Sequence, residues 1–327
     1  MSSDPMINRP PGRTTPATTA LVRRHPTAAF FLLAFGLSWL AWAPYVLGET
    51  GLGLLGFSVP GGQLLGVLPG AFLGPLTAAF VVTALVDGRA GLRHWGARLV
   101  RFRVGWRWYA GVLIGVPVIL VATTMLLPGS WGHLANPGLS LLALYLPMLV
   151  LQFFTTAMAE EPGWRDFALP RLQERFGAVR GTVLLGTLWG CWHLPLFLSD
   201  WGGWPDVSPW APIEFVAACI PLSLVMTWVF NRTGQSLPIV MMLHAGINST
   251  YSSVWDRIFP TLDVMRDPLH VQLIATSVIA LVLIIATRGR LGLSTTSLIT
   301  PAATDTDVIS APDAAREGRP LSTTSTR

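Results

Sequence analysis

Residues 139–158 read LSLLALYLPMLVLQFFTTAM, a stretch without a single charge, and residues 159–166 follow at once with AEEPGWRD. An apolar run of this kind crosses a bilayer core as an α-helix, because about 20 residues at about 1.5 Å each span roughly 30 Å of hydrocarbon. The adjacent glutamates Glu160 and Glu161, with Arg165 and Asp166 just beyond, are therefore placed where charge is costly. Ionisable side chains inside a membrane serve a pathway or a reaction more often than a fold.

Working outward, the whole chain has the same character. Of 327 residues, 51% are hydrophobic and 12% charged, with a mean hydropathy of +0.53, well outside soluble averages. Apolar runs recur near 28–47, 65–86, 108–127, 140–161, 181–199, 211–230, 236–254 and 270–287. The expected fold is all-α, a polytopic membrane bundle of about eight transmembrane helices filling residues 27–290. Residues 1–26 and 291–327 are rich in Ser, Thr, Pro and Ala and cannot bury enough apolar surface to offset their ordering entropy. They are expected to be a disordered arm and tail.

Every basic residue other than histidine is arginine, and the arginines alternate with the spans. Arg9, Arg13, Arg23 and Arg24 precede the first; Arg89, Arg93, Arg98, Arg101, Arg103 and Arg107 lie between the second and third. Arg171, Arg175 and Arg180 follow the fourth, Arg232 the sixth, and Arg288 and Arg290 the last. Basic residues concentrate on the cytoplasmic side of membrane proteins, so both termini are expected there. The net charge of +5 is then a consequence of topology, which removes the argument for a nucleic-acid partner. Arg23 and Arg24 before an apolar run ending Ala41, Trp42, Ala43 loosely imitate a signal peptide. Pro44 past the would-be cut, and the need for this span in the charge alternation, argue for a retained helix.

The two cysteines, Cys191 and Cys219, both fall in spans and support neither a disulfide framework nor a thiolate zinc site. The remaining polar side chains at membrane depth are few: Glu160, Glu161, Arg165 and Asp166; His193 in LWGCWHLPLF; Glu214; and His244 with Asn248 in MMLHAGINST. Asp166 reads as a cap or a water-facing group, Glu214 as interfacial or paired, and the tryptophans of WGGWPDVSPW, 201–210, as an aromatic belt. Glu161 and Arg165, and likewise His244 and Asn248, are four apart and share a helix face. Pro162 and Gly163 are expected to kink or restart the helix beside the carboxylates. Counted by helical rise, Glu160, His193 and His244 fall at similar depths, nearer the arginine-rich side, in a layer whose polarity implies a water-filled cavity opening there.

Glu160, Glu161 and Arg165 form EExxxR; Trp189 and His193 form an aromatic-xxx-His; His244 and Asn248 form HxxxN. In this order, across residues 145–252, these motifs resemble the CPBP intramembrane endopeptidases, also called the Abi family, which include type 2 CAAX prenyl proteases and bacteriocin-processing or immunity proteins. The usual second motif has Phe where Trp189 stands. The resemblance implies a membrane peptidase with Glu160 as general base, His193 holding the attacking water, and His244 and Asn248 orienting that water or donating to the oxyanion. Glu161, Arg165 and Trp189 are expected to support them. Family members have also been called metalloproteases, and Glu160, His193 and His244 would be the zinc ligands in that case. The absence of H-E-x-x-H and the scatter of donors over three spans favour a mechanism without a cofactor.

Two alternatives stand beside the protease. A noncatalytic relative would be an immunity or scaffold protein, and a proton-coupled transporter would use the same carboxylates and histidines as a relay. The expected partners are the lipid bilayer and a peptide or membrane-associated protein substrate. The Arg-only, Ala-rich and Gly-rich composition points to a bacterial cell membrane.

Overall fold

A computed structural model describes residues 17–293 apart from Pro137 and Leu139. Residues 1–16 and 294–327, most of the expected arm and tail, lie outside the described residues. Among the described residues all regular structure is helical. In chain order α1 is Ala17–Arg24, α2 Pro26–Leu47, α3 Gly62–Val86, α4 Gly88–Leu99 and α5 Trp106–Thr124. Then come α6 Ser140–Phe176, α7 Ala178–Trp192, α8 Ala211–Arg232, α9 Leu237–Ser249 and α10 Asp267–Ala286.

Seven of these segments, α2, α3, α5, α6, α7 with its extension to Leu198, α8 and α10, are long and apolar enough to cross a membrane. The eighth expected span is helical too, but α9 has only 13 residues of unbroken α-helix before a π turn at Thr250–Val254. Its side chains from Leu237 to Met241 and from Leu243 to Ile247 are buried. This helix is enclosed by protein rather than lipid, so it does not need the length of a lipid-facing span.

Three further expectations change. Helix begins at Ala17, inside the stretch expected to be disordered, and Arg23 Nε donates to the Leu85 carbonyl at 2.9 Å, anchoring it to the end of α3. At the other boundary Leu291 is buried and its carbonyl accepts from Asn231 Nδ2 at 2.9 Å. Pro162 does not break α6. Helix runs through it, with Pro162–Ala168 wound as a π segment. Proline's ring crowds the carbonyl four residues back in an α-turn, and the wider winding gives it room.

Close contacts between helices are made at glycines, as helix pairs in membranes require. A Cβ on Gly163 would lie 2.6 Å from the Pro75 carbonyl oxygen of α3, and Cβ atoms on Gly186 and Gly190 would lie 2.8 Å from the Cα atoms of Ile220 and Val216 in α8. An aromatic column then locks α2 to the centre: Phe30 meets Trp164 at 5.4 Å, Trp164 meets Trp192 at 5.6 Å, and Trp192 meets Trp42 at 4.6 Å between ring centroids. The glutamates of α6 and the last turn of α7 are thus held on the rigid interior of the bundle.

Contacts also gather the arginine-rich ends. Arg171 pairs with Asp87 at 3.2 Å, Arg98 Nη1 donates to Gln235 Oε1 at 3.1 Å, and Arg101 donates to the Gly234 carbonyl. The ends of α3, α6 and α8, with α4, therefore share one end of the bundle.

Candidate active site

Glu160 and Glu161 are consecutive on α6, so their side chains leave the helix about 100° apart and meet different neighbours. Glu160 faces α7: its Oε2 accepts a hydrogen bond from Trp189 Nε1 at 2.7 Å. Glu161 faces α9: His244 Nδ1 lies 2.7 Å from its Oε1. Glu161 Oε2 also sits 3.3 Å from Arg165 Nε, one turn on, with both side chains fully buried. Neither of those two atoms has an aligned hydrogen bond, so the Glu161–Arg165 contact is a charge pairing. Arg165 is further held by Ser223 Oγ at 3.4 Å and Met226 Sδ at 3.1 Å from α8.

The indole of Trp189 is the hub. Besides holding Glu160, it meets the His244 ring edge-on at 5.4 Å and the His193 ring at 6.0 Å. The Arg165 guanidinium carbon stands 4.7 Å from its centroid, in the range of a cation–π contact. His193 closes α7, and its Nδ1 lies 2.9 Å from the Trp189 carbonyl. A carbonyl oxygen only accepts, so Nδ1 carries the proton and Nε2 of the neutral ring keeps its lone pair. Glu160, Glu161, Arg165, Trp189, His193 and His244 are thus brought together from three helices. All are buried.

Asn248 is the exception. It follows His244 by one turn and is partly buried. Its backbone carbonyl accepts from Ser252, and among the described residues its side-chain amide has no hydrogen-bond partner.

Two readings need correction. Asp166 neither caps a helix nor faces water: it is buried and ion-paired with Arg98 of α4. Trp201 belongs to the site rather than to a belt, since it stacks on His193 at 5.7 Å and 16° between planes. Phe215 of α8 closes the same cage at 4.9 Å from His193. No sequence signal separates Trp201 from its neighbours Trp204 and Trp210, which are exposed. Glu214 pairs with His270 at 3.1 Å, away from the glutamates.

Among the described residues no three His, Cys, Asp or Glu side chains gather as metal ligands do. The set Glu160, His193 and His244 does not converge on one point. Trp189 lies against both imidazoles, and Glu161 takes His244 Nδ1. The side chains as placed do not fit a zinc ion. Two apolar cavities, about 470 and 210 Å³, lie beside α5 and are lined by none of the site residues.

Residues 142–250 match the family described as type II CAAX prenyl endopeptidase Rce1-like. This core segment is similar to that family. Its matched residues contain all three motifs. The chain is also 25% identical over 144 residues to the CAAX prenyl protease 2 of Methanococcus maripaludis, an alignment covering 42% of this chain and 53% of that relative. The chain spans about half the length of the relative it matches. The Rce1-like segment coincides with the helices that carry the site, α6, α7 and α9, while α2 and α3 brace it from outside the matched residues.

Proposed function

We propose that this protein is an intramembrane endopeptidase that hydrolyses a peptide bond with a water activated by Glu160. The observation that carries the reading is the buried Glu160 carboxylate, fixed by an indole N–H with both histidine rings against the same indole. A general base must be held within reach of its water and kept from wandering, and the Trp189 hydrogen bond does that.

Water gives a proton to Glu160 as its oxygen adds to the scissile carbonyl carbon; the C–N bond then breaks, and Glu160 returns the proton to the leaving amine. His193, with Nδ1–H committed to the Trp189 carbonyl, accepts a hydrogen bond from the attacking water through Nε2. His244, protonated on both ring nitrogens with Nδ1–H held by Glu161, and the unpartnered amide of Asn248 lie along one face of α9, where Nε2–H and the amide donate to the developing oxyanion. Glu161 and Arg165 are supports: the carboxylate orients His244 as second-layer carboxylates orient catalytic imidazoles, and Arg165 compensates its charge. No metal enters this scheme.

The partners are the bilayer and a peptide or membrane-associated protein; the name of the archaeal relative makes prenylated CAAX proteins a substrate class to test. Both termini and the arginine-rich end of the bundle face the cytoplasm in this reading, and water reaches the site from that side.

The test is cleavage of a peptide library by purified protein in detergent, with and without chelator. Glu160→Gln keeps the size and removes the base, so turnover should fall by about 10² to 10⁴ while the fold is kept. Full activity in Glu160→Gln sinks the glutamate mechanism. Loss with chelator and recovery with added zinc would replace it with a metal one, and no cleavage by the wild type would return the scaffold and transporter readings.

A further inference from the structure

Helix α4 has a divided surface. Trp95 and Leu99 pack against the core, Trp95 Nε1 donates to the Pro162 carbonyl of α6 at 3.3 Å, and Arg98 pairs with buried Asp166. The opposite face carries Arg89 and Arg93, four residues apart, the segment after the helix carries Arg103, and the first turn of α5 carries Arg107; all four are exposed. Among the described residues none of these four has a hydrogen-bond or ion-pair partner, whereas Arg98, Arg101 and Arg171 of the same region do. Like charges one turn apart repel on a helix, a cost that a bound anion relieves. Exposed Val100, Phe102 and Trp106 are interleaved with these arginines. An apolar and aromatic fringe beside unpaired guanidinium groups fits a surface that is charged outside and hydrocarbon just beneath.

We propose that this face of α4 and the following segment is a docking surface for anionic phospholipid headgroups. The guanidinium groups of Arg89, Arg93, Arg103 and Arg107 receive the phosphates, and Val100, Phe102 and Trp106 enter the acyl boundary. The apolar fringe favours a lipid over an RNA or an acidic protein, which would leave those side chains in water. Trp95 and Arg98 grip α6 within six residues of Glu160, so lipid that orders α4 also braces the segment bearing the glutamates. The proposal stands whether or not the protein is a protease.

The experiment uses the full-length protein in a neutral detergent, titrated with phosphatidylglycerol or phosphatidylcholine and read by native mass spectrometry and apparent melting temperature. Phosphatidylglycerol should bind and raise the melting temperature, phosphatidylcholine should do neither, and salt should weaken the effect. Each arginine replaced by glutamine should weaken binding about fivefold at low ionic strength. The quadruple variant R89Q/R93Q/R103Q/R107Q should keep the wild-type melting temperature without lipid and lose the rise with it. Glycerol phosphate at equal concentration separates the sources: if it reproduces the stabilisation, the site is for free phosphate and the lipid proposal fails. A quadruple variant that binds phosphatidylglycerol as tightly as the wild type, or a wild type that prefers an RNA oligomer to the lipid, also overturns it.

Discussion

Replacing Glu161 with glutamine should destabilise the protein more than most single changes. The wild-type carboxylate lies 3.3 Å from Arg165 Nε, and neither side chain is exposed. At that separation, with an effective dielectric constant of about 20, the pair attracts by about 5 kcal/mol. The amide that replaces it carries no charge, so Arg165 is left with only the Trp189 ring, Ser223 and Met226 as neutral partners. Removing one member of a buried pair costs about 3–5 kcal/mol, chiefly because the other charge stays buried. In a chain of this size that is roughly 4–7 °C in melting temperature. Equilibrium unfolding in mixed micelles, followed by tryptophan fluorescence, would measure it. The decisive comparison adds Arg165→Met and the double variant. With both charges gone there is no uncompensated group, so the double variant should be more stable than the sum of the single changes predicts, by about 2 kcal/mol or more. Strict additivity would refute the buried pairing. Turnover of Glu161→Gln should fall as well, because His244 loses the acceptor that orients it.

Trp189→Phe keeps a ring against both histidines and removes the N–H to Glu160. A charge-assisted hydrogen bond is worth about 1.5–3 kcal/mol, so kcat should fall by about 10- to 100-fold with KM nearly unchanged, and an unchanged kcat would show that the indole N–H does not position the base. Gly163→Ala places a Cβ 2.6 Å from the Pro75 carbonyl oxygen, a backbone clash that should cost about 1–3 kcal/mol in the same unfolding assay; Gly96→Ala, which meets nothing within 4 Å, is the control. A reporter active only in the cytoplasm should work when fused after Arg290, and a periplasmic reporter active there would invert the topology.

The pairs legible in the sequence are those one helical turn apart. Glu161 with Arg165 follows from the 3.6-residue period alone. So do the apolar spans and the alternation of arginine that orders them, because bilayer thickness and backbone hydrogen bonding leave few other solutions. At Pro162 and Gly163, where a kink or restart is expected, α geometry does give way, but to a continuous π segment rather than to a stop. Asp166 was misread because its partner, Arg98, comes from α4, a contact that no local spacing shows.

The contacts that make the site lie beyond that reach. Trp189 to Glu160 joins residues 29 apart and His244 to Glu161 joins residues 83 apart, while Trp201 arrives on His193 from a loop whose composition suits a membrane belt equally well. The sequence by itself determined that the chain is a helical membrane protein and which few polar side chains lie within its spans. Hydrophobic length and charge placement are additive along a chain, so they can be read from it. The tertiary structure decided which glutamate faces which histidine. That choice depends on the rotation and separation of packed helices, set here by glycine contacts and an aromatic column whose members come from α2, α6 and α7.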